Sequence, residues 1–371
     1  MSARHALLTS ENHVSIAENA IHPVRNTIMR KLLNTLYVTT PESYLHRDGE
    51  NVIVKVGSDE KFRIPIHNIE GIVCFGYMGA TPNLMQLCSD NNVGLSFLTP
   101  HGKFLGRVNG RVRGNVLLRR TQYRVADSPA SSLDIAKCFI AAKIVNCRTV
   151  LGRRIRDHGD AIRCETIRHA DNLMIENLTK IDDCPNADAL RGIEGNCAKF
   201  YFDVFDELIL KQKNDFFFHE RNRRPPRDNM NALLSFLYTL LAHDVESALE
   251  TVGLDPYVGF FHTDRPGRAS LALDMMEELR PFIADRLALN LVNLQQVCGD
   301  DFLKKEGGGI LLMDKGRKAV LGAWQKRKQD EITHPYLNEK IEIGLLPYVQ
   351  ALLMARFLRG DIDGYPPFFM N

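Results

Sequence analysis

The sequence has no CxxC pair, no run of roughly 18 apolar residues, and no cationic-then-apolar leader at its start. Each absence excludes something. Zinc ribbons, a membrane-spanning helix and secretion are all disfavoured. The longest apolar candidate, Leu233 to Ala242, is broken by His243 and Asp244. The eight cysteines, at 74, 88, 138, 147, 164, 184, 197 and 298, are scattered, and Cys147, Cys197 and Cys298 fall on apolar helical stripes. A reduced thiol acts there as a small hydrophobe, so the expected setting is soluble and cytoplasmic. With 44% apolar and 25% charged residues, the chain is neither disordered, nor collagen-like, nor a disulfide-stapled miniprotein. Its 371 residues suit two domains.

The formal net charge is only +2, but the charge is unevenly placed. Lys103 to Arg124 holds seven Lys or Arg and no acid; Lys211 to Arg227 holds six bases against two acids; Lys304 to Lys328 holds eight against two. One such block could be a solvated face. Three together fit a polyanion binder, because neutralising phosphates releases condensed counterions. Nucleic acid is therefore the expected partner.

Residues 1–28 lack any period and read as an extension or upstream start, and Met29 opens the first domain, 29–125. Short β-branched and aromatic stretches follow: Leu33 to Val38, Ser43 to His46, Asn51 to Val56, Lys61 to Pro65 and Ile69 to Phe75. Asp48-Gly49 and Gly57-Ser58-Asp59 give hairpin turns. Thr81 caps a helix over Pro82 to Ser89, and strands are expected at Gly94 to Leu98, Lys103 to Val108 and Val112 to Leu118. From about Ser131 the apolar period becomes 3.6, so 126–371 reads as an all-helical domain. The fold class is thus α+β, β-rich first and helical second. Within the helical part, Arg223-Arg224-Pro225-Pro226 forms a basic loop, and Asp228 and Ser270 are expected helix caps. Gly364 to Asn371 is expected to lack regular structure.

Glu194 sits at the edge of an apolar stripe between Gly192 and Gly195, small residues that permit close approach of a backbone or substrate. Alone it could be an exposed acid on an early helical turn. His262 ends an aromatic run, and Asp274 and Glu277 share a helical face at i and i+3. A glutamate, an imidazole and an acid suit Mg²⁺ or Mn²⁺ better than a thiolate-loving ion. Such an ion can neutralise charge developing on a phosphodiester. Arg223, Arg224, Arg227, Arg265 and Arg268 are candidate phosphate contacts. Tyr201 and Tyr238 read as packing residues.

Several ordered motifs carry a family likeness. They are Arg191-Gly192-Ile193-Glu194-Gly195-Asn196-Cys197-Ala198, Pro225-Pro226-Arg227-Asp228-Asn229-Met230-Asn231, Gly253-Leu254-Asp255-Pro256 with His262, Arg265-Pro266-Gly267-Arg268, and Ser270 to Asp274 with Glu277 to Pro281. With these the chain resembles the CRISPR-associated endonuclease and integrase of the adaptation, or spacer acquisition, machinery, over nearly everything from Met29 onward. Met29-Arg30-Lys31-Leu32-Leu33-Asn34-Thr35-Leu36-Tyr37-Val38 is similar to the type I-C branch.

The resemblance implies an N-terminal β-sandwich for dimerisation and an α-helical catalytic domain, assembled as a homodimer. It also implies a small ferredoxin-like second adaptation protein in a hetero-oligomer, and an iron–sulfur nuclease partner. Carried over residue by residue, the metal ligands are Glu194, His262 and Glu277, with Asp274 as a neighbouring acid. Many members have aspartate where Glu277 stands, so either Glu277 or Asp274 could be the closer ligand.

The expected activity is metal-dependent transesterification on double-stranded and branched DNA, inserting spacers at repeat ends, or hydrolysis with water as nucleophile. Two other readings stay open: a non-catalytic DNA scaffold, and a hydrolase of small phosphoesters, which would leave the basic blocks without purpose.

Overall fold

Two tight turns organise the first strands. At the Asp48-Gly49 turn, Gly49 takes a φ of 60°, which joins β2 (Ser43–Asp48) to β3 (Asn51–Val56) in antiparallel register, Leu45 opposite Val54. Gly57, at a φ of 61°, turns β3 into β4 (Asp59–Pro65). The computed structural model describes residues 35–370 apart from 39, 41, 70, 77, 100–103 and 109–115. The extension over 1–28, the opening at Met29 and the outer ends of the strands expected at Leu33 and Lys103 lie outside the described residues.

Two four-stranded sheets result. One has the order β4-β3-β2-β6, with β6 at Gly79–Ala80. The other runs β1 (Thr35–Val38), β5 (Gly71–Phe75), β7 (Gly94–Leu98), β8 (Phe104–Val108), and its last pair is antiparallel. Leu45 and Val52 from the first sheet and Ile72 and Leu95 from the second enter one apolar core with α1 (Pro82–Asp90). Thr81 caps that helix as expected, accepting from the Leu84 amide at 3.2 Å.

The strand expected over Val112 to Leu118 is corrected where it is described: Val116–Ala126 is a helix, α2. The β-branched valines and the leucines of this stretch imitate a strand, but tertiary bonds decide. Gln122, fully buried one turn from Leu118, donates to the carbonyls of Asp255 and Val258 at 2.7 and 2.9 Å and accepts from the Asp255 amide. Arg119 reaches the Gly253 carbonyl at 3.1 Å. Local propensity is a weak prior against such bonds.

The rest is built on α3 (Pro129–His158), α4 (Cys164–Leu178), α5 (Ala187–Asp203) and α6 (Asn229–Val252), the last capped by Asp228 at 2.7 Å from the Asn231 amide. Next comes α7 (Ser270–Arg280), where Ser270 is the first helical residue and not the cap, its hydroxyl turned back to the Thr263 carbonyl at 3.3 Å. A π-turn, Pro281–Asp285, carries α7 directly into α8 (Arg286–Asn293). Pro281 has no N–H for the Glu277 carbonyl, and its ring crowds the preceding turn, so the helix widens there. Asn146 of α3 takes up the Glu278 carbonyl at 2.7 Å.

The expectation of an all-helical second part needs a second correction. Hairpins β9/β10 (Phe302–Lys304, Ile310–Leu312) and β11/β12 (Glu331–Thr333, Lys340–Glu342) flank α9 (Asp314–Gln329), before α10 (Leu346–Arg359). Gly308, at a φ of 76°, provides the first of these turns. The tail past Gly364 has no regular structure but is seated: Phe368 N–H donates to Glu278 at 2.9 Å and Met370 N–H to Asn146 at 2.7 Å.

The large helical core includes Phe75 and Leu98 of the second sheet, and β8 adds Arg107, which pairs with Glu250 of α6 at 2.9 Å and donates to Ser247 at 2.9 Å. The architecture is therefore mixed α+β, with β-rich residues first and helices after. Among the described residues no helix is long and apolar enough to cross a membrane.

Candidate active site

Lys143 lies at the centre of the site. It sits on the buried side of α3 among Ile140, Ile144 and Cys147, and its ammonium pairs with Glu194 of α5 and, at 2.7 Å, with Oε2 of Glu277 on α7. Burial opposes that charge, but Glu277 and Glu194 outweigh it and raise the Lys143 pKa. Glu277 receives Arg280 Nη1 on its other oxygen at 2.8 Å. Burial works against the Glu277 carboxylate too, yet Arg280, Lys143 and His262 together hold its pKa down to about 2. Two carboxylates far apart in sequence thus share one cation.

His262 stands on the loop before α7, and its backbone is fixed by an acid rather than by secondary structure. Asp274 is fully buried and spends both oxygens locally. Oδ2 accepts the Phe260 and Phe261 amides at 2.7 and 2.9 Å, and Oδ1 accepts the His262 amide and ring Nδ1 at 2.8 and 2.6 Å. The carboxylate partner places the proton on Nδ1 and leaves Nε2 with its lone pair. Gly259 makes this loop possible, since a Cβ there would lie 2.7 Å from Asp274 Oδ2. The side chain of His262 stays 20% exposed, enough to meet a substrate.

The structure brings Glu194 and Glu277 together on Lys143, sets His262 within electrostatic reach of Glu277, and commits Asp274 to His262. Among the described residues no three His, Cys, Asp or Glu side chains form a closed metal cage. The donor set nevertheless fits a hard divalent ion. The Lys143 ammonium stands where two carboxylates already favour a cation, and Glu277 Oε2 is buried without a well-directed hydrogen bond, the Lys143 contact being oblique. Sequence reasoning missed Lys143, although a lysine inside an apolar stripe is itself a signal, because lysine is almost never buried unpaired.

Of the expected phosphate contacts, Arg223, Arg224, Arg227 and Arg265 are exposed and Arg268 is half-buried. Arg223 lines a cavity of about 30 Å³ together with Lys143, Glu194, Arg280 and Asp285. A Cβ at Gly192 or Gly195 would meet nothing within 4 Å, so among the described residues none makes the close approach expected there. Tyr201 and Tyr238 are packing residues whose hydroxyls donate to Asp285 at 3.1 and 2.6 Å, and burial raises that acid to about 6.

Comparison with known proteins matches this architecture. The family model for CRISPR associated protein Cas1 matches residues 36–326. A CRISPR-associated endonuclease Cas1 of Rhodospirillum rubrum is 50% identical over 345 residues, and one of Chlorobaculum tepidum 48% over 340, each covering 92% of this chain and 99% of the relative. Among solved structures, a Cas1 protein from Thermotoga maritima has a TM-score of 0.76 at 24% identity, covering 91% of this chain and all of the other. A casposase bound to integration product also gives 0.76, at 22% identity over 89% of this chain and 92% of its own. With the fold, the motifs and the full-length relatives agreeing, the chain belongs to the Cas1 family of CRISPR-associated endonucleases.

Proposed function

We propose that the protein is the integrase of CRISPR adaptation and that Glu194, His262 and Glu277 are its catalytic residues. One observation carries the reading most strongly: a buried acid and a half-buried one from separate helices converge on a single positive charge, within electrostatic reach of a histidine oriented by a buried carboxylate. Mg²⁺ or Mn²⁺ would be held by Glu194, Glu277 and Nε2 of His262, and would supply neutralisation of charge on the attacked phosphate. Asp274, its oxygens all engaged, acts as a positioning residue for His262 and not as a ligand.

The reaction is an in-line exchange at phosphorus. A 3′-hydroxyl oxygen of the incoming fragment gives up its proton to solvent and bonds to the phosphate at a repeat edge while the bond to the departing 3′-oxygen breaks, and that oxygen takes up a proton in return. Water in place of the hydroxyl gives the endonuclease. Arg223, which lines the same cavity as Glu194, and Arg265 and Arg268, on the loop after His262, would grip the flanking phosphates, with Arg224 and Arg227 extending the track. The open flank at Gly192 and Gly195 leaves room for DNA.

The β-rich residues are read as a sandwich that dimerises, since Tyr44 and Phe62 stand 48% and 45% exposed on one sheet. The domain division follows from this, with 29–125 for assembly and 126–371 for chemistry, α2 packing with the latter. A second adaptation protein of ferredoxin-like fold would join two such dimers. The Met29 to Val38 motif supports the type I-C branch and, with it, an iron–sulfur nuclease that trims fragments. Eight free thiols suit a cytoplasmic setting.

Replacing Glu194 with alanine tests the catalytic reading. Strand transfer into a repeat-bearing duplex should fall at least a hundredfold while DNA affinity changes little. Integration at the wild-type rate would leave a DNA scaffold as the remaining reading.

A further inference from the structure

A second cavity lies along the π-turn and helix that continue from the one carrying Glu277. It measures about 350 Å³, within the range of small-molecule sites, and is walled by α3, by the π-turn and α8, by α9 and by the tail. Three guanidiniums, Arg153, Arg286 and Arg327, line it, and no Asp or Glu is among the described residues that do. Its floor is aromatic: Phe282 lies under both Arg286 and Arg327, at 5.5 and 5.1 Å from the ring centre, with Phe368 and Phe369 beside it.

Phe282 and Arg286 are one turn apart, as Pro281 and Asp285 are, so two faces of the same wall, about 100° apart, look on the two cavities. Arg286 stands about 13 Å along the axis from Glu277, too far to serve the same phosphate.

The charges of Arg286 and Arg327 are only partly balanced. Burial, then Arg327 and Arg153, lower the Arg286 pKa to about 10, and Asp157 opposes this only in part. Arg327 is held by Asp330 through one nitrogen at 2.9 Å, and Arg286 donates to the Met370 sulfur at 3.6 Å. Cations gathered around a cavity without a lining carboxylate are stabilised by an anion that fills it. A guanidinium fork matches phosphate oxygens two at a time.

We propose that this pocket binds the phosphate of a nucleotide unit, with Arg286 and Arg327 on the phosphate oxygens, Arg153 adding charge, and Phe369 and Thr333 against the sugar or base. The site is separate from the one built on Glu194 and stands whether or not that one is catalytic. The shared chemistry is a phosphate ester, whose source is either a free mononucleotide or a DNA strand.

Titration calorimetry on the full chain decides it, with inorganic phosphate and thymidine 5′-monophosphate in chelator at constant ionic strength. Saturable binding is expected, at least tenfold weaker in Arg286→Gln and in Arg327→Gln and unchanged in Arg168→Gln, at an exposed position on α4 away from both cavities. If a glutamine variant fails to fold, Arg286→Lys keeps the charge without the fork and should weaken binding about fivefold. A duplex that displaces the nucleotide identifies a DNA strand as the source, by its end if the 5′-phosphate is required and by its backbone if it is not. Failure of duplexes with and without a 5′-phosphate to displace it identifies the free nucleotide. No saturable binding, or equal affinity in all the variants, overturns the proposal, as does loss in Arg168→Gln alone.

Discussion

Replacing Lys143 with methionine tests the electrostatic core of the catalytic site. The substitution keeps most of the volume on the buried side of α3 but removes the charge between Glu194 and Glu277. Removing one partner of a buried ion pair costs about 3–5 kcal/mol, because the other is left without compensation. Glu277 keeps Arg280 on its other oxygen, and the Glu194 side chain is 24% exposed, so the lower end applies, about 3 kcal/mol. In chelator, the melting temperature should fall by roughly 4 °C, since an unfolding entropy of about 2 cal/mol/K per residue makes each kcal/mol worth only about 1.3 °C in a chain this long.

The same variant should respond more strongly to Mn²⁺. Two carboxylates stripped of their ammonium attract a divalent ion better, so added Mn²⁺ should recover most of the loss and bind at least tenfold more tightly than in the unmodified protein. Differential scanning calorimetry with and without chelator, and a Mn²⁺ titration, give both readings. If the variant melts at the wild-type temperature in chelator and gains no more from Mn²⁺, Lys143 does not hold the two acids and the reasoning fails.

Asp274→Asn should leave the fold largely intact but free the His262 ring to turn, lowering strand transfer roughly 10–100-fold; rescue by Asp274→Glu, or wild-type activity in the asparagine variant, would count against a positioning role. Acid should loosen the contact between sheet and helices at His243. Burial, and then Arg107, lower its pKa to about 4, so the neutral ring contributes stability above the ordinary value near 6.5, lost as pH falls from there toward 4. The loss is about 3 kcal/mol at most, and urea titrations from pH 7 to 4 should show a shallower decline in His243→Gln than in the unmodified protein.

Local chemistry was the most legible part of the chain. Thr81 and Asp228 announced their helices, because a side-chain oxygen before an apolar period satisfies an amide whatever lies far away. Val116 to Leu118 misled, since bonds from Gln122 and Arg119 to a loop more than a hundred residues on decide that segment, and no window along the chain contains them. Ser270 misled for a similar reason: its hydroxyl has a better-placed carbonyl in Thr263. The motifs pointed to Glu194, His262 and Glu277 one at a time. That Lys143 joins two of them, and that Asp274 commits its oxygens to the loop carrying His262, depends on how distant segments pack together.

The π-turn at Pro281 has a consequence for how this chain can vary. By widening the helix by one residue it sets which side chains downstream face the catalytic acids and which face the arginine-lined cavity. Removing or inserting a single position between Glu277 and Arg286 would turn every later residue by about 100° and exchange the two sets. Individual side chains along this stretch can therefore drift over evolutionary time, but its length cannot, and single-codon deletions there should be rarer among functional descendants than in the neighbouring loops.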